Sequence, residues 1–123
     1  MTIVFAHGKQ REIAWGADSR QRYLGKEYYE KLDEGQQAKF EALFEYLSEK
    51  PRFHNKTRFT KEINEIYCFK SGQHRLACFF DGPRIVIVYG FRKKTDWDKR
   101  HKRELQKAVR LREEYLVGKG ETG

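Results

Sequence analysis

The chain has 123 residues, 36% of them charged and 15% aromatic, with a formal net charge of +8. That length suits one domain able to bury roughly 65% of its unfolded surface, so neither a metal nor a disulfide staple is required. No run approaches the ~20 apolar residues of a membrane span, and Met1 to Gly8 lacks the basic start and long apolar run of a signal peptide.

In chain order, Thr2 to Phe5, with Glu12 to Trp15, reads as a strand or as a hairpin around Gly8-Lys9. Asp18 or Ser19 can cap a helix whose apolar stripe is Leu24, Tyr28 and Leu32. Gly25 weakens that helix. Asp33-Glu34-Gly35 reads as a tight break before a second helix over about Gln36 to Glu49. Phe40, Leu43, Phe44 and Leu47 recur there at i, i+3, i+4 and i+7, the spacing of one buried helical face. Pro51 ends it. So short a link predicts a helical hairpin.

Residues 52 to 61 read as a basic loop. Three strands follow, near Ile63–Lys70, His74–Asp81 and Arg84–Phe91, joined by turn chemistry at Ser71-Gly72 and Asp81-Gly82-Pro83. They predict an antiparallel meander. A last helix, about Asp98 to Val117, carries Leu105, Ala108, Val109, Arg112 and Leu116 as its packing stripe. The domain is expected to span 1–117, with 118–123 a disordered tail. The expected class is α+β: an N-terminal strand and helical hairpin on a small, mainly antiparallel sheet, with a C-terminal helix. The hairpin covers one sheet face. The other is open or partly covered by the last helix.

Residues 92 to 112 hold ten Lys or Arg and three acids, a net +7 of the chain's +8. They follow directly on the apolar run Ile85 to Tyr89. Charge concentrated on a sheet-to-helix corner suits a polyanion, most simply nucleic acid. Excess charge serving solubility alone is the plainer alternative.

Register extends the argument. If Lys70 and Gln73 flank the first turn, paired positions sum to 143; across the second turn they sum to about 165. Cys68 and Cys78 then lie on opposite faces and cannot bridge, and two buried reduced thiols fit a cytoplasmic protein. The smaller-residue face, with Ala77 and Gly90 beside Lys70, Arg75 and Arg92, becomes a shallow basic groove. A one-residue error in register would exchange the faces.

Such a groove can hold RNA. Cleavage through RNA's own 2′-hydroxyl needs a base, an acid and cations on the phosphate. Arg75 is suited to clamp the phosphate, and the neighbouring cations Lys93 and Lys94 can lower each other's pKa. Equally, Lys93-Lys94 can be a solvated strand end and Arg75 an edge ion pair with Glu65. The histidines are scattered: His54 and His101 can be acid, base or merely exposed groups, and His7 and His74 carry less. No zinc spacing, phosphate-cradling glycine loop or Gly-x-Ser-x-Gly elbow occurs, so neither metal nor cofactor is expected.

Arg58-Phe59, Glu65-Ile66, the run Arg75 to Val86, Gly90-Phe91-Arg92-Lys93-Lys94-Thr95, Glu104 and Ala108 together resemble the HigB-like branch of the RelE/ParE toxin superfamily. The resemblance covers about residues 26 to 116. It implies a RelE-like fold and the toxin of a type II toxin–antitoxin pair, a metal-independent, ribosome-dependent mRNA endoribonuclease. Its implied partners are the ribosome, mRNA and an antitoxin protein of the helix-turn-helix kind; no membrane is involved. By resemblance Arg75 contacts the scissile phosphate and Lys93 and Lys94 assist. RNA contacts are expected from His54, Arg58, Lys61, Lys70, Arg92, Lys99 and His101. Asn64 and Tyr67 stand where the family often has Tyr and Arg, and Asp96-Trp97-Asp98-Lys99 departs from its usual stretch after the threonine. Two alternatives stay open: a ParE-like gyrase inhibitor without enzymatic activity, and an inactive relative that only binds nucleic acid.

Overall fold

The computed structural model describes residues 2–51, 58–93 and 99–122. Two strands open the chain as an antiparallel hairpin, β1 (Thr2–His7) and β2 (Glu12–Gly16). Helices α1 (Leu24–Glu30) and α2 (Glu34–Glu49) follow. Then come β3 (Phe59–Ile63), β4 (Ile66–Ser71), β5 (His74–Asp81), β6 (Arg84–Arg92) and the long helix α3 (Lys99–Thr122). The sheet has six strands in the order β1-β2-β6-β5-β4-β3. β2 runs parallel to β6, and the other described pairs are antiparallel. The expected α+β architecture is the one observed.

The central position of β6 explains its sequence. It is hydrogen-bonded on both edges, and both faces of the sheet are covered. A strand so placed reads as a continuous apolar run rather than an alternating one. Ile85 and Ile87 enter a core shared with Phe40, Phe44 and Leu47 of α2 and with Ile13 and Trp15 of β2. Val86 and Val88 enter a second core with Leu105, Ala108, Leu111 and Tyr115 of α3. The stripe on α3 is therefore rotated from the expected one: Leu111 and Tyr115 are buried, while Val109, Arg112 and Leu116 flank them half-buried.

The open basic groove expected on the second face is absent, because α3 lies over it. Cys68, Ala77 and Val86 are fully buried there. The register explains part of the difference. Ser71 and His74, not Lys70 and Gln73, flank the β4–β5 turn, so Cys68 pairs with Ala77 and Tyr67 with Cys78. A slip of two residues leaves the faces unchanged, and the two thiols are buried in different cores. Across β5 and β6 the expected register holds from Asp81↔Arg84 to Cys78↔Ile87. A bulge then inserts Val88, and Arg75 pairs with Phe91 instead of Gly90. Beyond the bulge the faces exchange. Tyr89 and Phe91 turn toward α3, and Gly90 turns toward α1.

Local chemistry fixes the remaining elements. Asp33 caps α2, its carboxylate accepting the Gln36 N–H at 2.8 Å. Asp18 does not cap a helix. It accepts N–H bonds from Arg20 and Arg22, and α1 starts only at Leu24. α1 lies close on β6 because Gly25 faces the strand: a Cβ there would stand 2.9 Å from Ile87 Cγ2. β3 occupies part of what reads as a basic loop, and Asn64, at φ +47°, turns the chain into β4. α3 continues to Thr122 instead of stopping near Val117, and Lys119, within the expected tail, ion-pairs Asp81 at 2.8 Å. No helix among the described residues is long and apolar enough to cross a membrane.

Candidate nucleic-acid interface and active site

The β4–β5 turn and the C-terminal end of β6 meet at one end of the sheet. Lys70 pairs with Arg75, Arg75 with Phe91, and His74 with Arg92. The backbone N–H of Lys93 donates to the Gln73 carbonyl at 2.7 Å, so the end of β6 is tied to the turn. Arg58 joins this end through its carbonyl, which accepts the Lys70 N–H at 2.8 Å. Arg58, Lys70, Arg75, Arg92 and Lys93 are thus brought together by four adjacent strand ends, those of β3, β4, β5 and β6. Lys94 and His54 lie outside the described residues.

Three of these cations are held in different ways. The Arg75 guanidinium folds back over the turn, with Nη1 donating to the carbonyls of Gly72 at 2.8 Å and His74 at 3.0 Å. Among the described residues it meets backbone carbonyls and no carboxylate, so the ion pair with Glu65 is not formed. Its Nε and Nη2 edge is left for a planar acceptor such as a phosphate. Arg92, exposed, sets Nε and Nη2 on Gln73 Oε1 at 3.0 and 2.8 Å. Lys70 pairs with Glu62 at 3.7 Å.

α3 begins beside this end, since the His101 ring packs 5.7 Å from Phe91. Lys99, Arg100, Lys102, Arg103, Lys107 and Arg110 are exposed along its outer side. Together they extend the positive surface away from the strand ends. His101 itself is only 5% exposed and faces the core, which removes it from the surface where RNA contacts were expected. Lys61 is also separate: it sits on β3 with its ammonium 6.0 Å over the Tyr67 ring. Tyr89 and Tyr115 are engaged structurally, and Trp97 lies outside the described residues. Tyr89 donates to Glu104, and Tyr115 packs edge-on against Phe79.

The sequence gives little weight to His74, yet the fold places it among these cations. Its Nδ1 is 2.7 Å from the Tyr28 hydroxyl, reaching across from α1. Burial, reinforced by the Arg92 charge, lowers the His74 pKa below the ordinary 6.5, against an opposing pull from Asp33. Burial raises the Tyr28 hydroxyl pKa, with Arg92 and Arg75 pulling the other way. The available signal was positional: His74 opens a strand immediately before Arg75, and Tyr28 lies on the apolar stripe of α1. No group of three or more His, Cys, Asp or Glu side chains among the described residues is placed to hold a metal ion.

A family model, Phage derived protein Gp49-like (DUF891), matches residues 27–113. That span runs from α1 into α3 and includes Tyr28, His74, Arg75, Arg92 and Lys93. No curated protein and no solved structure matches the chain.

Proposed function

Because the chain belongs to the Gp49-like family of phage-derived proteins, a family compatible with toxins of toxin–antitoxin pairs, we propose that it is such a toxin and acts as an mRNA endoribonuclease on the ribosome. The observation that carries the reading is the convergence of Arg58, Lys70, Arg75, Arg92 and Lys93 at one end of the sheet, beside the exposed basic side of α3. A field of this kind, with few carboxylates near it, draws in a polyanion and holds a phosphodiester.

The chemistry asked of the site is small. The 2′-oxygen of RNA attacks the adjacent phosphorus, the P–O5′ bond breaks, and a 2′,3′-cyclic phosphate remains. Negative charge grows on the phosphoryl oxygens as the new bond forms. Arg75 is positioned to receive it with the free edge of its guanidinium, and Lys93 to add a second cation. Lys94 is kept in the same role on sequence grounds. Arg58, Lys70, Arg92 and Lys99 hold the flanking backbone. An antitoxin protein encoded alongside, with an acidic or apolar segment laid over this surface, keeps the toxin inactive in the cytoplasm.

Controlled expression in bacterial cells, with mapping of new mRNA 5′ ends, tests the proposal. The wild-type chain should arrest growth and create ends locked to codon register. Arg75→Ala should reduce those ends by roughly 100-fold or more, the size expected for losing one preorganised donor to a developing charge. A fully toxic Arg75→Ala protein would sink the assignment. Growth arrest without new ends, accompanied by loss of DNA supercoiling, would move the function to gyrase inhibition.

A further inference from the structure

We propose that His74 is the general base of this site and that Tyr28 is its positioning residue. The inference rests on the RNA-cleaving reading above and adds to it the group that takes the 2′-hydroxyl proton.

Four observations lead there. The first is place: His74 precedes Arg75 on β5 and pairs with Arg92 on β6, so its backbone lies between two cations suited to a phosphate. The second is orientation. A lone imidazole at a strand end rotates freely, but here Nδ1 is tied to the Tyr28 hydroxyl at 2.7 Å, and the two rings meet edge to face at 5.8 Å. In the tautomer the proposal assigns, Nδ1–H donates to the Tyr28 oxygen and the lone pair of Nε2 is free to accept a proton. Which ring nitrogen acts is set by the bond the other one makes. The third is access: His74 is only half-buried, so Nε2 can reach a bound strand. The fourth is protonation state. Burial and the Arg92 charge keep the imidazole neutral to lower pH than usual, so at neutral pH it is a competent base.

The groups facing His74 come from every element around it. Tyr28 approaches from α1, Asp33 from the start of α2, Arg75 from β5 and Arg92 from β6. On β4 its cross-strand partner is Ser71, whose hydroxyl donates to Gln36 at 3.2 Å and carries no charge. Arg92 lowers the His74 pKa and Asp33 raises it. The two therefore act as opposite handles on one titration.

The proton balance closes with the site's own groups and solvent. The 2′-hydroxyl gives its proton to Nε2 of His74, the 2′-oxygen bonds to phosphorus, and the P–O5′ electron pair leaves with the 5′-oxygen. That oxygen takes a proton from the Lys93 ammonium or from water. His74 returns its proton to solvent after turnover. No oxidant, reductant or co-reactant is consumed.

The test is single-turnover cleavage of a defined mRNA on bacterial ribosomes by the purified protein, measured from acid to mildly alkaline pH. Variants are His74→Ala, His74→Gln, Tyr28→Phe, Arg92→Gln, Asp33→Asn and Arg75→Ala, each checked for folding by thermal melting. His74→Gln is the decisive replacement, because its amide can keep the bond to Tyr28 where alanine cannot. Both His74 variants should lose at least about 100-fold in rate, the usual range for a general base. In the wild type the rate should rise along a limb whose midpoint lies below the ordinary histidine value, since the neutral form is the active one. Arg92→Gln should move that limb to higher pH. Asp33→Asn, which still caps α2, should move it to lower pH. Tyr28→Phe should slow cleavage roughly 10-fold by loosening the imidazole. A His74→Gln protein within threefold of wild type, with Arg75→Ala inactive, would overturn the base assignment and leave the ribonuclease reading standing. A limb unmoved by both charge variants would overturn it too. Wild-type protein that cleaves no mRNA would overturn the ribonuclease reading and this inference with it.

Discussion

Leu105→Ala should destabilise the fold by about 2–5 kcal/mol, the range for emptying a fully buried leucine site. Leu105 is completely buried where α3 crosses the sheet, in a cluster with Cys68, Ala77, Val86, Val88 and Phe91. Polar and ring contacts, such as the Ser19 N–H on Glu114 and the Arg112 guanidinium over Phe79, supplement this packing. Most of its surface is charged, and clustered cations along its outer side repel one another. The buried part of its attachment is one stripe, Leu105, Ala108, Leu111 and Tyr115, with the Tyr89–Glu104 and Lys119–Asp81 contacts near its two ends. Removing the completely buried leucine from that stripe leaves a cavity the neighbouring strands cannot collapse to fill, because they are fixed by the ladder. Thermal melting should fall by about 4 °C for each kcal/mol lost. Lys102→Ala, one turn earlier and exposed, should melt within about 0.5 kcal/mol of wild type while weakening nucleic-acid binding. Leu105→Ala melting with the wild type would mean that α3 does not pack on the sheet.

The same helix shows why the sequence led only part of the way. The stripe on α2 was legible because α2 has one apolar face, and Phe40, Leu43, Phe44 and Leu47 are the apolar residues it buries. On α3 the stripe was displaced because arginines and aliphatic residues alternate in Val109-Arg110-Leu111-Arg112. Arg112 lies half-buried with its guanidinium 5.5 Å over the Phe79 ring, so an apolar stem and a cation share one position. The meander turns were legible in Gly72 and Gly82, each at φ +59°, a conformation other residues resist.

The bulge at Val88 was not legible, and the reason is physical. Register shows in a sequence when one sheet face is wet, because a slip then puts polar groups in the core. β6 is covered on both sides, so Val88-Tyr89-Gly90-Phe91 satisfies either assignment. The cost of that silence was the site. An unbulged strand places Gly90 and Arg92 beside Arg75 on one open face. The bulge instead sends Phe91 under α3 and pairs Arg92 with His74, which turns an inconspicuous histidine into a member of the cationic cluster. β3 was missed for a related reason. As an edge strand it carries Thr60, Lys61 and Glu62, and charged edges are how sheets avoid pairing with other chains.

Gly90→Ala brings the bulge and the site under one experiment. A Cβ on Gly90 would lie 2.5–2.6 Å from Cγ, Cβ and Cδ1 of Tyr28, the near end of that side chain, so rotating the ring tip cannot relieve the clash. Either α1 lifts from β6 or Tyr28 swings away from His74. Overpacking of this kind costs about 1–3 kcal/mol. Exchanging glycine for alanine within a strand otherwise favours folding, so a loss of stability here reports the clash itself. Cleavage should fall together with melting temperature, since His74 loses the hydroxyl that orients it. Adding Tyr28→Ala separates the two effects. The alanine at 90 then occupies part of the space vacated by the ring, so the double variant should be more stable than the sum of the single changes, with a coupling of about 0.5–3 kcal/mol. Cleavage should stay low, because no hydroxyl remains to hold Nδ1. Strictly additive melting would show that position 90 and Tyr28 do not touch, and the bulged register would then be wrong. Recovery of full activity in the double variant would show that Tyr28 serves packing alone.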